Sequence, residues 1–449
     1  MMMLRAAYNP AYRDRDATVS REPPTCETSD ACVSYCSANG YVCPSYARAA
    51  ASAVRKKTKK ILLNSAIFEH QPKFHAVNGS DIRVGQKLGE GSFSTVNACL
   101  LKDSSLDDNC AIKCLKEKVM MNRRSFAHGA SDLATEAFFL ARLDHPNIIK
   151  LHAVTAEIVE SNLSTEKDAG FFIVVDRLVE TLEQRIVRWR QHAKELPTNL
   201  LYRLSREWKD TQRSMLKERL QIALQVANVM EHLHGMKILF RDLKPDNIGF
   251  DKNGTLKLFD FGLAKEEKAS DCLSPGKYKM TGRTGSRRYM APEGRSMGAQ
   301  RMVFLLRLII GLHLSYFVRL FLPVVANDYP YDKSVDVYSF GILLWEICAL
   351  EKPFYRYSSQ RHMREVVIGG DRPKMDSSYT AQWPTSLQSL MKSCWSSEVL
   401  NRPSFSVVKQ NLESILKELS PTQTERRKSR EISTSSPRYW SIGRKRLRP

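Results

Sequence analysis

Oxygen-bearing side chains that could hold a phosphate-bound metal are concentrated between residues 238 and 262. One cluster has the sequence RDLKPDN at 241–247, and a second has the sequence DFG at 260–262. Asp242, Asn247 and Asp260 together supply two carboxylates and one amide, which are oxygen donors that suit Mg2+ chelated by phosphates. This chemistry requires the two clusters to lie side by side in the folded chain.

The segment between the clusters predicts a β-hairpin that would bring them together. Apolar runs at 248–250 and 255–259 flank Asn253-Gly254, and an Asn-Gly pair between two such runs signals a tight turn. A short hairpin places its two ends next to each other. The alternative interpretation, two unrelated turns that contain aspartate, explains either cluster alone better than both at this spacing.

A glycine-rich turn between two predicted strands offers backbone amides to an anion. Residues 82–101 read IRVGQKLGEGSFSTVNACLL, with alternating apolar residues on both sides of Gly89 and Gly91. Glycine lets the backbone approach a phosphate closely, and exposed N–H groups can donate to its oxygens. The usual G-x-G-x-x-G pattern has a third glycine where this chain has Ser94, so this motif alone is weak evidence.

A lysine and a glutamate in the next two predicted elements form a candidate ion pair. Lys113 lies in the apolar run AIKC at 111–114, and burying an ammonium group is costly unless it meets an anion. Glu136 lies in a predicted amphipathic helix at 131–143. Taken singly, Lys113 is equally compatible with an edge-strand lysine that faces water, and a lone helical glutamate is usually a surface charge.

The composition argues against a dedicated nucleic-acid-binding or secreted protein. The chain has 449 residues and a formal net charge of +21, but most of the excess lies in residues 1–64, 294–324 and 420–449. We therefore expect no specific nucleic-acid partner. The ten cysteines form no evident disulfide framework, and the four between residues 26 and 43 lack the C-x2-C pairs of a zinc site. No apolar segment near the start predicts a secretory signal.

Both ends of the chain are predicted to be disordered and basic. Residues 1–77 are mostly polar and small, and the basic run at 55–60 interrupts any apolar pattern. Residues 420–449 are rich in Ser, Arg and Lys, and two basic runs in them resemble a bipartite nuclear-import signal. A solvated charged tail is the alternative. We expect a cytoplasmic location, with the nucleus as the second expectation.

The motifs, taken in order, resemble those of the eukaryotic protein kinase superfamily from about residue 82 to residue 419. They read LGEGSFSTV, AIK, Glu136, RDLKPDN, DFG, APE at 291–293, Asp336 within SVDVYSFG, and Arg402 within NRPSF. The ending CW…RPSF resembles the tyrosine-kinase-like group, whereas DLKPDN resembles the serine/threonine kinases. The resemblance implies an α+β, two-lobed fold: a small β-rich N-lobe with one key helix at about 82–177, and a larger, mainly helical C-lobe at about 178–419.

The resemblance also implies that the chain transfers a phosphoryl group from Mg-ATP to Ser/Thr hydroxyls of protein substrates in intracellular signalling, a reaction that depends on positioning and charge neutralisation. Asp242 would orient the hydroxyl and accept its proton, and Lys244 would neutralise charge on the γ-phosphate. Asn247 and Asp260 would hold Mg2+. In the C-lobe, Glu293 and Arg402 would form a buried ion pair. Asp336 would support the catalytic loop.

The nucleotide site would lie between the lobes. Lys113, fixed by Glu136, would bind the α- and β-phosphates of ATP, and the amides of Gly89 and Gly91 would cover them. Val175 would sit at the back of the adenine pocket. The other nucleotide-binding positions implied by the resemblance are Leu88, Glu90, Ser92, Phe93 and Val96.

Arg241, directly before Asp242, predicts control by phosphorylation of the following loop. An arginine beside the catalytic base adds positive charge that a phosphate could neutralise. Thr281 and Thr284, in KMTGRTGS, are the best candidates, and Ser274 is the third. An upstream activating kinase or autophosphorylation would supply the phosphate; ordinary loop hydroxyls are the alternative.

Besides Ser94, two features depart from the family pattern. Phe240 stands where the family usually has a histidine that bonds backbone near DFG; phenylalanine keeps the packing and loses that bond. The second departure is residues 294–324, which read GRSMGAQRMVFLLRLIIGLHLSYFVRLFLPV. Deleting them restores the family's spacing to Asp336. We interpret the segment as a translated retained intron or gene-model error, which transcript sequencing would test; an interaction helix is the alternative.

The insert also raises two other functional hypotheses. A catalytically impaired pseudokinase that acts as a scaffold would be expected to lack Lys113, Asp242 or Asp260, and all three are present. A membrane-anchored protein would need residues 302–325 to span a bilayer, where Arg307 and Arg319 would each cost about 2.5–3.5 kcal/mol near the centre. We therefore do not expect a membrane partner.

Overall fold

The computed structural model describes residues 43–102, 110–155, 171–197, 199–274, 277–281, 284–295, 328–375 and 380–420. The predicted tail at 420–449 therefore lies outside the described residues except for its first position. Nearly all of the insert at 294–324 and residues 1–42 of the predicted N-terminal tail also lie outside them.

Disorder is predicted for residues 1–77, but the structure has a long helix within them, α1 (Pro44–Leu62). Proline at the first helical position and a run rich in alanine, lysine and arginine favour a helix. Its buried side chains are Ala47, Ala50, Ala51, Val54 and Thr58. A helix face with so few large apolar residues is hard to recognise as buried from the sequence. The basic residues that suggested disorder lie mostly on the exposed side of the helix.

The N-lobe is built on a six-stranded sheet with the order β1-β5-β6-β4-β3-β2. Its strands are β1 (Ala76–Val77), β2 (Ile82–Glu90), β3 (Ser94–Leu101), β4 (Cys110–Leu115), β5 (Leu151–Thr155) and β6 (Phe172–Asp176). All neighbours are antiparallel except β1 and β5. The predicted strand–turn–strand around the glycine-rich loop is confirmed by β2 and β3. Strand β5 begins at residue 151, and Ile148 before it makes an isolated bridge with Leu258.

Two helices follow β4 and cover one face of this sheet: α2 (Glu117–Met120) and α3 (Arg123–Leu140). Helix α3 begins earlier than predicted, because the Asn122 side chain accepts a hydrogen bond from the Ser125 amide and caps its first turn. Gly129 allows close contact with β4, since a Cβ there would lie 3.0 Å from the Leu115 side chain. Helix α3 carries Glu136 into the lobe interior.

The C-lobe is mainly helical, as expected. Its elements up to the end of the DFG motif are β7 (Glu180–Thr181), α4 (Leu182–Glu195), α5 (Leu200–Leu204), α6 (Arg206–Gly235), β8 (Ile238–Leu239), β9 (Ile248–Phe250) and β10 (Leu256–Leu258). Strands β9 and β10 form the predicted antiparallel hairpin, with Gly254 at a φ of 77° in its turn. A glycine is suited to this turn because side chains disfavour positive φ.

The remaining elements enclose the lower part of the C-lobe. They are β11 (Lys265–Glu266), β12 (Cys272–Ser274), β13 (Lys277–Thr281), α7 (Pro292–Arg295), β14 (Asp328–Tyr331), α8 (Ser334–Ala349), α9 (Ser359–His362), a π-helical turn (Met363–Ile368), α10 (Thr385–Cys394) and α11 (Phe405–Glu418). Helix α8 is almost entirely buried. Among the described helices, none combines the length and apolar character needed to cross a bilayer.

Candidate active site

The Lys113 ammonium group joins the two lobes. Its Nζ lies 2.6 Å from Glu136 Oε2 on α3 and 2.9 Å from Asp260 Oδ1 of the DFG motif. Glu136 is buried, Lys113 is mostly buried, and the Asp260 side chain is 41% exposed. The sequence therefore identified three charged groups that the fold brings to one point, from β4, α3 and the turn after β10.

Mutual attraction favours the charged forms of Lys113 and Asp260. Burial alone would lower the pKa of Lys113, but the Asp260 and Glu136 carboxylates outweigh it and raise that pKa. Burial would raise the pKa of Asp260, yet Lys113 lowers it. Burial dominates at Glu136 and raises its pKa, although Lys113 opposes the shift. Asp260 therefore stays ionised, with its second oxygen available to the cleft.

A second polar cluster lies across the cleft in the RDLKPDN loop. Asp242 Oδ2 accepts hydrogen bonds from Lys244 Nζ at 2.8 Å and from Asn247 Nδ2 at 2.9 Å. The Asn247 amide also donates to the Asp242 backbone carbonyl at 2.9 Å. These bonds fix the Asp242 carboxylate relative to the loop. They use the side-chain nitrogen of Asn247 and do not involve its side-chain oxygen.

Ser286 belongs to this cluster, and the sequence analysis did not identify it. Lys244 Nζ donates to Ser286 Oγ at 2.8 Å, and the Ser286 amide donates to Asp242 Oδ1 at 2.7 Å. Gly285 makes the approach possible: its φ is 107°, and a Cβ there would lie 2.3 Å from the Arg241 carbonyl oxygen. In the sequence, the Gly285-Ser286 pair directly after the phosphorylation candidates was the feature that could have indicated a close turn here.

A buried aspartate fixes the start of the catalytic loop. Asp336, on α8, accepts hydrogen bonds from the amides of Phe240 and Arg241 at 2.9 and 2.8 Å, and His234 Nε2 lies 3.0 Å away. Arg241 has a φ of 68°, a conformation that costs a non-glycine residue about 1–2 kcal/mol. The bonds to Asp336 offset that strain, and Asp260 has the same φ.

Phe240 packs inside the molecule instead of bonding backbone. Its ring is fully buried, and its centroid lies 5.1 Å from that of Phe261 in an edge-to-face arrangement. The packing between the catalytic loop and the DFG motif is therefore retained, as the sequence predicted.

The predicted nucleotide-binding positions of the N-lobe differ in burial. Leu88, Phe93 and Val96 are partly buried against the main core, Ser92 is exposed, and Val175 is buried on β6 beside Ala111. No side chain fills the space within 4 Å of a Cβ built at Gly89. The Gly91 amide donates to the Ser94 carbonyl at 2.8 Å, so in this conformation it closes the turn itself.

Glu90 anchors the glycine-rich loop at its edge. Its exposed carboxylate pairs with Lys116 at 2.6 Å and with Lys87. Hydrogen bonds from Lys116 and Lys87 lower the pKa of Glu90 to about 2. The loop is thus tied to the residue that follows β4, and therefore to the strand of Lys113.

The three phosphorylation candidates follow the DFG motif in the chain. Ser274 ends β12, Thr281 ends β13, and Thr284 precedes the Gly285 turn as a half-buried residue. Arg241 Nε donates to the Leu263 carbonyl at 2.7 Å, which ties the arginine of the catalytic loop to this segment. Their modification stays a prediction.

The oxygen donors fit a magnesium ion that is also bound by phosphate. Asp260 and Asn247 each present one oxygen that the contacts described above do not use, and hard oxygen ligands suit this ion. Within the described part of the chain, no group of three or more His, Cys, Asp or Glu side chains could hold a metal by itself. Two protein oxygens would leave the remaining positions around such an ion to phosphate and water oxygens.

Comparison with protein families decides the relationship. A protein kinase domain model matches residues 82–299, and a protein tyrosine and serine/threonine kinase model matches residues 318–412. The chain belongs to the protein kinase family. Kinases of this family use Mg-ATP. The two matches leave out residues 300–317, which lie inside the insert that interrupts the motif spacing.

Known kinases match about three quarters of the chain. A probable serine/threonine-protein kinase of Dictyostelium discoideum is 28% identical over 74% of this chain and 28% of its own length. The serine/threonine-protein kinase CTR1 of Arabidopsis thaliana is 25% identical over 76% of this chain and 32% of its own. The tyrosine-protein kinase Fer of Rattus norvegicus is 26% identical over 82% and 35%. The chain therefore spans about a third of the length of these relatives.

Proposed function

We propose that this kinase transfers the γ-phosphoryl group of Mg-ATP to Ser/Thr hydroxyls of protein substrates in intracellular signalling. The observation that carries the proposal is Lys244, whose ammonium group bridges the Asp242 carboxylate and the Ser286 hydroxyl at 2.8 Å each. Lysine at this position is the feature in which the chain resembles serine/threonine kinases. Its relatives also include dual-specificity and tyrosine kinases, so the acceptor residue is the part to test.

The proposed roles follow from the contacts. Asp242 is held by Lys244, Asn247 and the Ser286 amide, so its carboxylate is oriented to bind an attacking hydroxyl and accept its proton. Lys244 places a positive charge beside the oxygen that receives the phosphoryl group. Such fixed charges stabilise a transition state because they need no reorganisation during the reaction.

The nucleotide would bind between the two polar clusters. Lys113, fixed by Glu136, binds the α- and β-phosphates. Asp260 and Asn247 would hold a magnesium ion, which when bound would neutralise phosphate charge. Leu88, Val96 and Val175 provide apolar contacts for the adenine ring, in line with their partly or fully buried positions.

The test is phosphorylation of a generic basic protein by the full-length chain with labelled ATP, followed by phosphoamino acid analysis. We expect phosphoserine and phosphothreonine, and phosphotyrosine would contradict the acceptor assignment. Asp242→Asn should lower the rate about 10²–10⁴-fold. The matched control is Asp246→Asn, which changes an exposed aspartate in the same loop and should retain activity. Equal loss in both variants would refute the proposed base.

A catalytically impaired scaffold is the second candidate, and the interrupted family match favours it. The two kinase models stop and resume on either side of residues 300–317. The same assay on a variant that lacks 294–324 separates the candidates. Activity in both forms supports an enzyme with an inserted segment, activity only after deletion supports an impaired full-length kinase, and inactivity of both supports the scaffold.

We further propose that the kinase acts in the cytoplasm or the nucleus, and that phosphorylation at Thr281, Thr284 or Ser274 activates it. Arg241 and the tie to Leu263 support a loop-dependent catalytic site. Mass spectrometry of active protein, followed by alanine substitution of each modified residue, tests the regulation. Full activity of the triple alanine variant would contradict it.

A further inference from the structure

Helix α1 lies against α3, the helix that carries Glu136. Ala50 and Val54 are fully buried, and Ala47 and Ala51 nearly so. Of these, Ala47, Ala50 and Val54 share a core with apolar side chains of α3: Phe126, Ala130, Leu133, Ala134 and Ala137. Alanine side chains let two helices approach closely, so the contact depends on small residues at these positions.

The loop after α1 binds the strand that follows the DFG motif. Glu266, on β11, accepts hydrogen bonds from Ser65 Oγ at 2.6 Å and from the Ala66 amide at 2.7 Å. Its side chain is buried, and a buried carboxylate is costly without such partners. The Ser65 hydroxyl in turn accepts from the amides of Ile67 and Phe68 at 3.1 and 2.9 Å.

A lysine from the same segment closes the C-terminal end of α1. Lys268 Nζ donates to the backbone carbonyls of Lys60, Ile61 and Leu63 at 2.8, 2.5 and 2.7 Å. The last carbonyls of a helix lack partners within the helix and carry partial negative charge, so a cation there is favourable. The end of α1 is therefore bound by a residue of the segment that follows the DFG motif.

The same loop also contacts the end of α3. Arg142 Nε donates to the Ile67 carbonyl at 3.0 Å, and the Phe68 ring contacts the rings of Phe138 and Phe139 edge-on. On the inner side of α3, Gly262 of the DFG motif approaches Asp132 so closely that a Cβ would lie 3.3 Å from its carbonyl oxygen. Helix α3 is thus enclosed between the DFG motif and the α1 segment.

We propose that residues 44–68 are a built-in positioning element for α3, which we call the α1 brace. The brace ties α3 to β11, so that Glu136 reaches Lys113 while Asp260 remains beside it. Glu266 and Lys268 are positioning residues, since neither contacts Lys113, Asp242 or their partners in the described contacts. Its effect on turnover rests on the proposed function, whereas its effect on the placement of α3 does not.

The first test compares two arginine substitutions on α1 in the full-length chain. Ala50→Arg places a charged side chain in the contact with α3, whereas Ser52→Arg places the same side chain on an exposed position. We expect Ala50→Arg to lower kcat about tenfold or more, with less change in KM for the protein substrate, and Ser52→Arg to stay within about twofold of wild type. Equal effects of the two substitutions would overturn the proposal.

A double-mutant cycle with Glu136→Gln separates positioning from general damage. If the brace acts through the Glu136 carboxylate, Ala50→Arg should lower the residual activity of Glu136→Gln by less than about twofold. Additive losses would show that the helix does not act through Glu136, and would overturn the proposal.

A pair of substitutions at Lys268 tests the placement of α3 without relying on catalytic activity. Lys268→Met should speed amide hydrogen exchange in α3 about tenfold or more, and Lys268→Arg should restore protection, because arginine can still donate to the carbonyls. Exchange is measured without turnover, so it reports on the brace even if the chain proves inactive. Unchanged exchange in Lys268→Met would contradict the proposal.

Discussion

The two polar clusters of the cleft are held in place by different means. The catalytic-loop cluster consists of Asp242, Lys244, Asn247 and Ser286, and it is fixed from below by Asp336. The lobe-joining cluster consists of Lys113, Glu136 and Asp260, which come from three separate elements. The first depends mainly on neighbours in one loop, and the second on the position of a whole helix.

This difference locates where activity can be adjusted. A loop whose backbone amides bond a buried carboxylate has few alternative positions, because each displacement leaves a buried donor or acceptor unpaired. Helix α3 is attached by packing and by the α1 brace, so a change at its outer face can separate Glu136 from Lys113. We therefore expect the catalytic-loop cluster to be rigid and the lobe-joining cluster to respond to changes far from the cleft.

Lys113→Met should have the largest effect among the following tests, because it removes the cation on which the lobe-joining cluster depends. We expect kcat/KM for ATP to fall about 10²–10³-fold, since a fixed positive charge on the phosphates is lost. Lys118→Met, an exposed lysine on α2, is the matched control and should retain activity. A loss below about fivefold in steady-state assays would remove Lys113 from the proposed nucleotide site.

Asp336→Asn should damage the catalytic-loop cluster with a somewhat smaller effect on activity. The amide cannot accept from Phe240, Arg241 and His234 together, so at least one buried donor loses its partner. We expect about 2–4 kcal/mol lower free energy of unfolding and a fall in kcat of about tenfold or more. Denaturant unfolding and turnover are measured on the same preparation; unchanged stability would show that Asp336 does not fix the loop.

Glu346→Gln tests the support beneath the Ser286 loop through its pH dependence. Burial raises the pKa of Glu346 to about 8, and Tyr289 Oη donates to its Oε2 at 2.6 Å. Between the unfolded pKa near 4.5 and the folded value, the native state holds a proton that the unfolded state lacks. Stability of the wild type should therefore fall as the pH rises through this window.

The variant lacks this titration, so its thermal midpoint should fall less between pH 5 and pH 8, by about 2–6 °C relative to wild type. The hydrogen bond from Tyr289 can still form to the glutamine carbonyl. Glu351→Gln, an exposed glutamate near the end of α8, should follow the wild-type curve. Parallel curves for all three proteins would show that Glu346 is ionised in the folded chain.

Phe240→His should have the smallest effect, because the edge-to-face packing on Phe261 already connects the catalytic loop to the DFG motif. We expect kcat to stay within about threefold of wild type, consistent with an aromatic contact contributing about 0.5–1.5 kcal/mol. A gain of more than tenfold would mean that the missing histidine bond limits the natural protein.

The sequence alone determined the kinase fold and most of the residues that meet in the cleft. The β9–β10 hairpin brings Asn247 and Asp260 together because its turn and strands are encoded locally. Lys113 and Glu136 could be paired only through the family's motif order, and the structure brings them within 2.6 Å. Ser286 was missed because its link to Lys244 spans separate loops, and the Gly285-Ser286 pair by itself does not specify that contact.

Only the tertiary structure decided the role of residues 43–77. A basic, alanine-rich helix has too little apolar surface to predict its own burial, and it is buried here because α3 offers a complementary face. The sequence does not predict the buried contacts of Glu266 and Lys268 either, since charged residues usually remain in water. Their partners, the Ser65 hydroxyl and several backbone groups, lie about 200 residues earlier, and only the folded chain brings them within hydrogen-bonding distance.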